Sequence, residues 1–204
     1  MISTLYKKST QALNYFSRKK DGQINKMKAI KLVYLADRYH IRKYGRPIIG
    51  DMYLAMKLGP VGSNTLNVAN ISENNLDKES LRYVKEFISH PKDDVKKEEI
   101  VSKKEVDFGV FSQTDIEALE TIYKEFGDRD QFELAKKITH EYPEWSKFGE
   151  DIRSGKTRAG HMDYSDFFLN PKHSVSNIFE MSPEHLDMTK KLYQERQEVE
   201  NILK

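Results

Sequence analysis

The chain has 204 residues and a formal net charge of +2, with 38% hydrophobic and 32% charged residues. This length suits one domain, with or without an appended arm. Because cysteine is absent, the chain cannot form disulfides, thiolate metal sites or a cysteine nucleophile. No apolar run approaches the roughly 20 residues that cross a bilayer, and the first residues lack the apolar stretch of a signal peptide. We therefore expect a cytoplasmic protein with no membrane partner.

Basic residues are concentrated at the start of the chain. Residues 1–50 contain 12 lysines and arginines against 2 acidic residues, so their balance is +10 and the remaining residues must carry −8. One interpretation is a basic face that meets nucleic acid or an acidic protein. The other is a basic surface that the protein's own acidic part neutralises.

The first half of the chain predicts helices around one short strand. Apolar residues at helical spacing predict a helix over 2–19, and Asn25 is a suitable cap for a second helix that Gly45 ends. The broad apolar arc of this second helix places it at the centre of the fold. Residues 51–58 predict a strand, and the charged stretch 96–106 is a candidate partner strand for it.

After that strand, Ser63 or Asn64 is expected to cap a short helix, and residues 80–89 predict another. Ser112 and Asp115 have the spacing of a capping box.

The helix that this box opens should end at Gly127, and Asp130 should cap the next one. Residues 149–161 predict an exposed loop. Ser182-Pro183 opens the last helix, since proline is favoured at the first helical position. The expected fold class is mainly α (α+β), a helical domain with one small antiparallel β-sheet. Four apolar residues form a stripe on the last helix: Met188, Leu192, Val199 and Ile202.

Chemistry-bearing residues are sparse. Asp37 and His40 are three positions apart and share a helix face, but a metal site needs further ligands there. A buried histidine held by a carboxylate is the favoured interpretation, because a polar group inside a protein needs a partner. Nothing in the sequence indicates an acid–base pair. We expect no catalytic residue, no metal and no cofactor, and therefore no enzyme.

The second helix is rich in lysine and arginine, but a helix-turn-helix with a polar recognition helix is not evident. Lys31, Arg38 and Arg42 are expected to cover apolar surface with their stems while their charged heads stay in water. Nucleic acid is therefore a disfavoured partner. A nucleic-acid-binding or regulatory phage-associated protein that uses the basic N-terminal face is kept as the alternative function.

Two blocks of sequence carry a family resemblance. "KAIKLVYLADRYHIRKYGRPIIGDMYLAMKLGPV" (28–61) closely resembles the signature of the Panacea domain, also called the SocA-like antitoxin domain or a phage-associated domain. "FELAKKITHEYPEW" (132–145) resembles the second element of that family, and 111–127 is similar to the helix before it. The resemblance assigns residues 1–150 to a Panacea-like domain and leaves 151–204 as a C-terminal loop and helical extension.

The resemblance implies an antitoxin of a bacterial or phage toxin–antitoxin module that neutralises its cognate toxin by direct protein–protein binding. Some relatives deliver the toxin to a protease as adaptors, so a protease is a further partner that the resemblance implies. It implies no cofactor and no catalytic residue. The matching positions, expected to build the scaffold or bind the partner, are Lys31, Tyr34, Asp37, His40, Tyr44, Gly45, Arg46, Pro47, Gly50, Asp51, Ala55, Met56, Gly59, Pro60, Thr139, His140 and Trp145.

Three expectations concern how these residues act. Asp37 is expected to pair with Arg46 or His140 and thereby to pin the two blocks together. Trp145 is expected to pack on the core with its N–H satisfied nearby. The apolar stripe of the last helix has three open roles: docking into a toxin groove, packing on its own domain, or forming a homodimer.

Overall fold

A computed structural model of the chain describes residues 2–92 and 98–202. It is mainly helical with small antiparallel sheets, which confirms the predicted fold class. The helices are α1 (Thr4–Lys19), α2 (Lys26–Tyr44), α3 (Ser63–Ala69), α4 (Lys78–Phe87), α5 (Gln113–Phe126), α6 (Gln131–Glu133), α7 (Pro143–Ser146), α8 (Gly149–Arg153) and α9 (Pro183–Ile202). The strands are β1 (Gln23–Asn25), β2 (Tyr53–Met56), β3 (Gly59–Gly62), β4 (Ile88–Ser89), β5 (Glu99–Ser102) and β6 (Ala159–His161). A π-helical segment, Leu134–Ile138, continues α6.

The central element is α2, as its apolar arc predicts. The Asn25 side chain accepts a hydrogen bond from the Lys28 N–H at 3.2 Å and starts the helix. Gly45 ends it in the left-handed conformation, with φ of 67°. Every residue from Lys28 to Arg42 is buried, because α1, α5 and α9 pack around this helix.

The sheets differ from the sequence-based expectation. The structure contains two three-stranded sheets, ordered β1-β5-β4 and β3-β2-β6. The predicted pairing of 96–106 with β2 is wrong. Within that stretch, β5 pairs with β1 so that Ile100 lies opposite Ile24, and both side chains are buried.

The second partner of β2, besides β3, is β6, which lies in the segment predicted to be an exposed loop. That loop prediction is also wrong at its start, where α8 forms. A three-residue strand such as β6 carries too short a pattern to be recognised without its partner.

Local helix signals are confirmed for α5, α6 and α9. Ser112 and Asp115 form the predicted capping box, since each side chain accepts a hydrogen bond from the other's backbone N–H. Asp130 caps α6, and α9 begins at Pro183. In the part of the chain that the structure describes, every helix is too short or too polar to span a membrane.

One face of α9 packs against the end of α2. Leu186 and Thr189 are buried there. A Cβ atom added at Gly45 would lie 2.8 Å from the carbonyl oxygen of Thr189, so the two helices touch at a glycine. The C-terminal extension is therefore anchored to the centre of the fold.

Candidate functional site

Asp37, near the middle of α2, is completely buried and organises the loop that follows the helix. Its carboxylate accepts hydrogen bonds from the backbone N–H groups of Ile48 at 2.9 Å, Ile49 at 2.8 Å and Gly50 at 3.3 Å. The hydroxyl of Tyr53, on β2, donates to the same carboxylate at 2.9 Å. One side chain therefore determines the path from α2 to β2.

The predicted pairing of Asp37 with Arg46 or His140 is wrong. The turn after α2 brings the N–H groups of 48–50 to the carboxylate, and these donors occupy its lone pairs. Arg46 instead reaches Asp115 on α5, at 2.8 Å. Burial raises the pKa of Asp37 to about 7, although its hydrogen bonds oppose that shift.

His40 joins α2 to α5. Its Nδ1 lies 2.7 Å from the carbonyl oxygen of Arg46, and its Nε2 lies 3.0 Å from the Thr114 hydroxyl and 3.3 Å from the Asp115 carboxylate. Lys8, on α1, also pairs with Asp115 at 2.8 Å. Burial lowers the pKa of His40 to about 4, so the ring is neutral at pH 7. The expected buried histidine is present, and the carboxylate beside it comes from α5.

Asp51 determines where α3 begins, which corrects the prediction that Ser63 or Asn64 caps this helix. Its carboxylate accepts from the Asn64 N–H at 3.0 Å and from the Thr65 N–H and hydroxyl at 2.7 Å each. Ser63 is the first helical residue, and a Cβ atom on Gly62 before it would collide with Asp51. The cap therefore comes from a residue remote in sequence.

The tip of the β2–β3 hairpin is held by the second motif block. Trp145 is buried and its Nε1–H donates to the carbonyl oxygen of Met56 at 2.9 Å, as expected of a core tryptophan. The His140 ring stacks on Trp145 with ring centres 3.5 Å apart. Gly59 has φ of 88°, and an added Cβ would lie 2.5 Å from the Thr139 hydroxyl. These contacts, rather than Asp37, join the two blocks.

Lys31 lies beneath the same hairpin and is 1% exposed. Its Nζ donates to the carbonyl oxygen of Pro60 at 2.6 Å. Among the residues that the structure describes, no carboxylate forms an ion pair with Lys31. Burial lowers the pKa of Lys31 to about 7, because the ammonium has lost its hydration.

A buried polar cluster links α2 to α7. The Tyr34 hydroxyl donates to the Glu144 carboxylate at 2.5 Å, and Arg38 Nε pairs with the same oxygen at 2.9 Å. All three side chains are inaccessible to solvent. Burial raises the pKa of Glu144, while the Arg38 charge and the Tyr34 hydroxyl oppose that shift.

Arg42 ties the C-terminal extension to α2. Its guanidinium donates to the carbonyl oxygens of Phe167 at 2.8 Å, Leu169 at 2.9 Å and Phe179 at 3.0 Å, and to the Asn170 side chain at 2.6 Å. A planar fork of donors is suited to several carbonyl groups at once. Burial is the main cause that lowers the pKa of Arg42 to about 9.

The expectation that the charged heads of Lys31, Arg38 and Arg42 stay in water is therefore wrong. Each head finds an acceptor inside the fold, and that acceptor comes from a distant part of the chain. Sequence reasoning also missed Glu144 as a buried partner. The regular spacing of Tyr34, Arg38 and Arg42, four positions apart on one helix face, was the available signal.

The charge asymmetry of the sequence is largely neutralised within the protein. At least seven of the twelve basic residues in 1–50 pair with carboxylates that come later in the chain. These residues are Lys8, Arg18, Lys20, Lys26, Arg38, Lys43 and Arg46. This supports the interpretation of a basic segment balanced by the protein's own acidic part.

The other motif residues shape the backbone or the core. Tyr44 donates its hydroxyl to Glu117 on α5 at 2.9 Å, and Ala55 is fully buried in β2. Pro47 and Gly50 lie in the loop that Asp37 holds. Within the described residues, no group of three or more histidines and carboxylates is placed to bind a metal ion.

The stripe on α9 lies away from the core. Met188 is 54% exposed, Leu192 43%, Val199 55% and Ile202 82%. Leu186 and Thr189 are buried in the face that packs on α2, and Leu192 borders this face, since a Cβ atom added at Gly45 would lie 2.9 Å from the Leu192 Cβ. Among the described residues, the stripe therefore lies beside the packed face, with its apolar side chains largely exposed.

Comparison with known families decides the assignment. Residues 30–146, more than half of the chain, match the family described as antitoxin SocA-like, Panacea domain. The chain belongs to this family. The Panacea match includes every motif residue from Lys31 to Trp145, whereas α1 and α9 lie outside it. No curated protein and no solved structure matches the chain.

Several polar residues of the Panacea motif are bonded within the fold. The polar side chains of Asp37, His40, Asp51 and Trp145 make hydrogen bonds within the protein, and these bonds join α2, the loop after it or the β2–β3 hairpin to a neighbouring element. Such a network makes one backbone arrangement strongly preferred, because each buried group would be costly to leave unpaired.

Proposed function

We propose that the protein is an antitoxin that neutralises its cognate toxin by binding it directly, and that it is not an enzyme. Membership of the antitoxin SocA-like Panacea family supports this proposal. The observation that carries it further is that Asp37, His40 and Asp51, three polar residues of the motif, are buried and hydrogen-bonded within the fold. The motif then builds a rigid scaffold, and the surface of that scaffold recognises the toxin.

The uncovered stripe of α9 is the first surface that we assign to the toxin. Its four residues are separated by four, seven and three positions, so they lie on one face of the helix. They extend over about 21 Å, at 1.5 Å for each residue. A helix of this kind can lie in an apolar groove of a partner protein. Exposed apolar patches of this type commonly mark interaction sites.

A growth assay tests the proposed function. The neighbouring reading frame of the native locus is expressed alone and then together with this protein. The neighbour alone should stop growth, coexpression should restore it, and the two proteins should copurify. If the neighbour is harmless in several hosts, or if growth is restored without a complex, direct neutralisation is contradicted.

Point substitutions test the stripe better than removing 182–204, because that deletion would also remove buried Leu186 and Thr189. Val199→Glu and Ile202→Glu place a charge on the stripe and should weaken toxin binding about 100-fold, as expected of central apolar contacts. Gln194→Glu adds the same charge at an exposed position off the stripe and should leave binding unchanged. If all three variants bind the toxin as tightly as the wild-type chain, α9 is not part of the interface.

A further inference from the structure

An apolar groove of about 430 Å³ opens between the start of α2, the β2–β3 hairpin and α3. Its apolar lining residues are Met27, Ile30, Met56, Leu58, Val61 and Leu66. The hairpin contributes exposed apolar groups, since Met56 is 36% exposed and Leu58 is 43% exposed. The groove lies at the first turns of α2, whereas α9 packs against its last turn. It is therefore a surface separate from the α9 stripe.

Lys31 also lines this groove, and it is nearly completely buried. An ammonium group has three N–H donors, and within the described part of the chain one acceptor binds them, the Pro60 carbonyl oxygen at 2.6 Å. No ion pair to Lys31 occurs among the described residues. A buried charge without a counter-charge is unfavourable, and a carboxylate brought next to it would make a strong hydrogen bond. The pKa of Lys31, lowered by burial to about 7, reflects the same unfavourable environment.

The charged residues around the groove indicate the sign of the charge that its occupant carries. Among the described residues, Lys26, Lys31 and Lys57 line it, and one acidic residue, Glu98, does so. Glu98 is already engaged by Lys26, with 3.3 Å between the charged atoms. Lys57 is exposed at the rim, and buried Lys31 has no counter-charge among the described residues. An acidic partner is favoured, because opposite charges across an interface guide and orient binding.

We propose that this groove binds a segment of the toxin in which a carboxylate lies among apolar side chains, with the carboxylate pairing to Lys31. The apolar side chains cover Met56 and Leu58, and Lys57 meets a second acidic group at the rim. This inference rests on the proposed function and adds to it the location and the chemistry of a second contact. An acidic residue in the toxin segment is the matching feature that a complex would reveal.

The test uses the full chain and the purified neighbouring protein as the probe, with affinities from titration calorimetry. Met56→Glu should weaken binding about 100-fold, as for an apolar contact at the centre of an interface. Met52→Glu is the matched control, because Met52 is 52% exposed beside the same strand but does not line the groove. Lys31→Met should weaken binding by at least ~30-fold, since it leaves the partner carboxylate buried and unpaired.

Thermal unfolding of each variant shows whether it is folded, and Met56→Glu decides the test alone if Lys31→Met does not fold. Loss of binding in both variants, with the control unchanged, supports the proposal. If the wild-type chain binds and both variants bind equally well, the groove is excluded while the antitoxin function stands. If Met56→Glu fails and folded Lys31→Met binds normally, the carboxylate pairing is overturned.

Two further results would also overturn the proposal. If the free protein is a dimer that Met56→Glu converts to a monomer, the occupant is a second copy of the chain. If the wild-type chain does not bind the neighbouring protein at all, the proposed function fails and the groove assignment fails with it.

Discussion

Replacing Asp37 with alanine tests whether the motif acts as scaffold. The substitution removes the acceptor of four hydrogen bonds, from Ile48, Ile49, Gly50 and Tyr53. Gly50 is exposed, so its N–H can turn to water. The other three donors are buried and would lose their partner.

The magnitude follows from those three donors. A buried donor left unpaired costs about 1–3 kcal/mol. The loss is partly offset, because alanine also removes a buried carboxylate whose pKa is raised to about 7 by burial. We expect Asp37→Ala to lower the free energy of unfolding by about 3 kcal/mol at pH 7. For a chain of this size, that corresponds to a melting temperature lower by about 6–12 °C.

Chemical and thermal denaturation of three variants provide the assay. Asp37→Asn should lower the free energy of unfolding by less than Asp37→Ala, because the amide oxygen can still accept hydrogen bonds from the N–H groups of Ile48 and Ile49. Asp128→Ala is the control, since Asp128 is an exposed carboxylate paired with Lys20, and it should change stability by less than about 0.5 kcal/mol. The pH dependence gives an independent measure. The folded-state pKa of Asp37 is raised, so the proton-linked part of its stabilising contribution is present below about 4 and is lost as pH rises through 7, which adds to the cost of Asp37→Ala at low pH.

An Asp37→Ala variant as stable as the wild-type chain would contradict a scaffold role for Asp37. Normal stability combined with loss of toxin binding would make Asp37 a contact residue instead of a scaffold residue.

Substitutions at Lys31, Gly59, Gly155 and Arg42 are also informative. The folded-state pKa of Lys31 is lowered, so the wild-type chain should gain stability relative to Lys31→Met as pH rises from about 7 to 10. If the free energies of unfolding of the two proteins change with pH in parallel, this prediction is contradicted. Alanine at position 59 would have positive φ and a steric clash, so Gly59→Ala should lower the free energy of unfolding by about 2–3 kcal/mol. Gly155 has φ of 79° but open space around it, so Gly155→Ala should lower it by about 1 kcal/mol, as measured by equilibrium unfolding. Arg42→Met should speed amide hydrogen exchange over 167–179, because the carbonyl groups there lose their donor, and unchanged exchange would argue against the anchoring role.

Signals that act between near neighbours were readable in the sequence. The capping box of Ser112 and Asp115, the left-handed Gly45 and the proline that opens α9 all depend on residues within a turn of one another. The spacing of apolar residues likewise placed α2 at the centre. The family motif was also recognisable, because its two blocks are contiguous stretches of sequence.

Partners far apart in the chain were decided only by the tertiary structure. Tyr34 and Glu144 are 110 residues apart, and their hydrogen bond exists because α2 and α7 pack together. Asp37 binds backbone N–H groups of the following loop instead of the predicted side chains of Arg46 or His140, because the tight turn places several N–H donors beside its carboxylate. β6 pairs with β2 across about 100 residues of sequence, and no local pattern in the chain indicated that pairing. Periodicity and capping indicate the secondary structure that one segment prefers. The acceptor of a buried charged group instead depends on which distant segments the fold brings within about 3 Å of it.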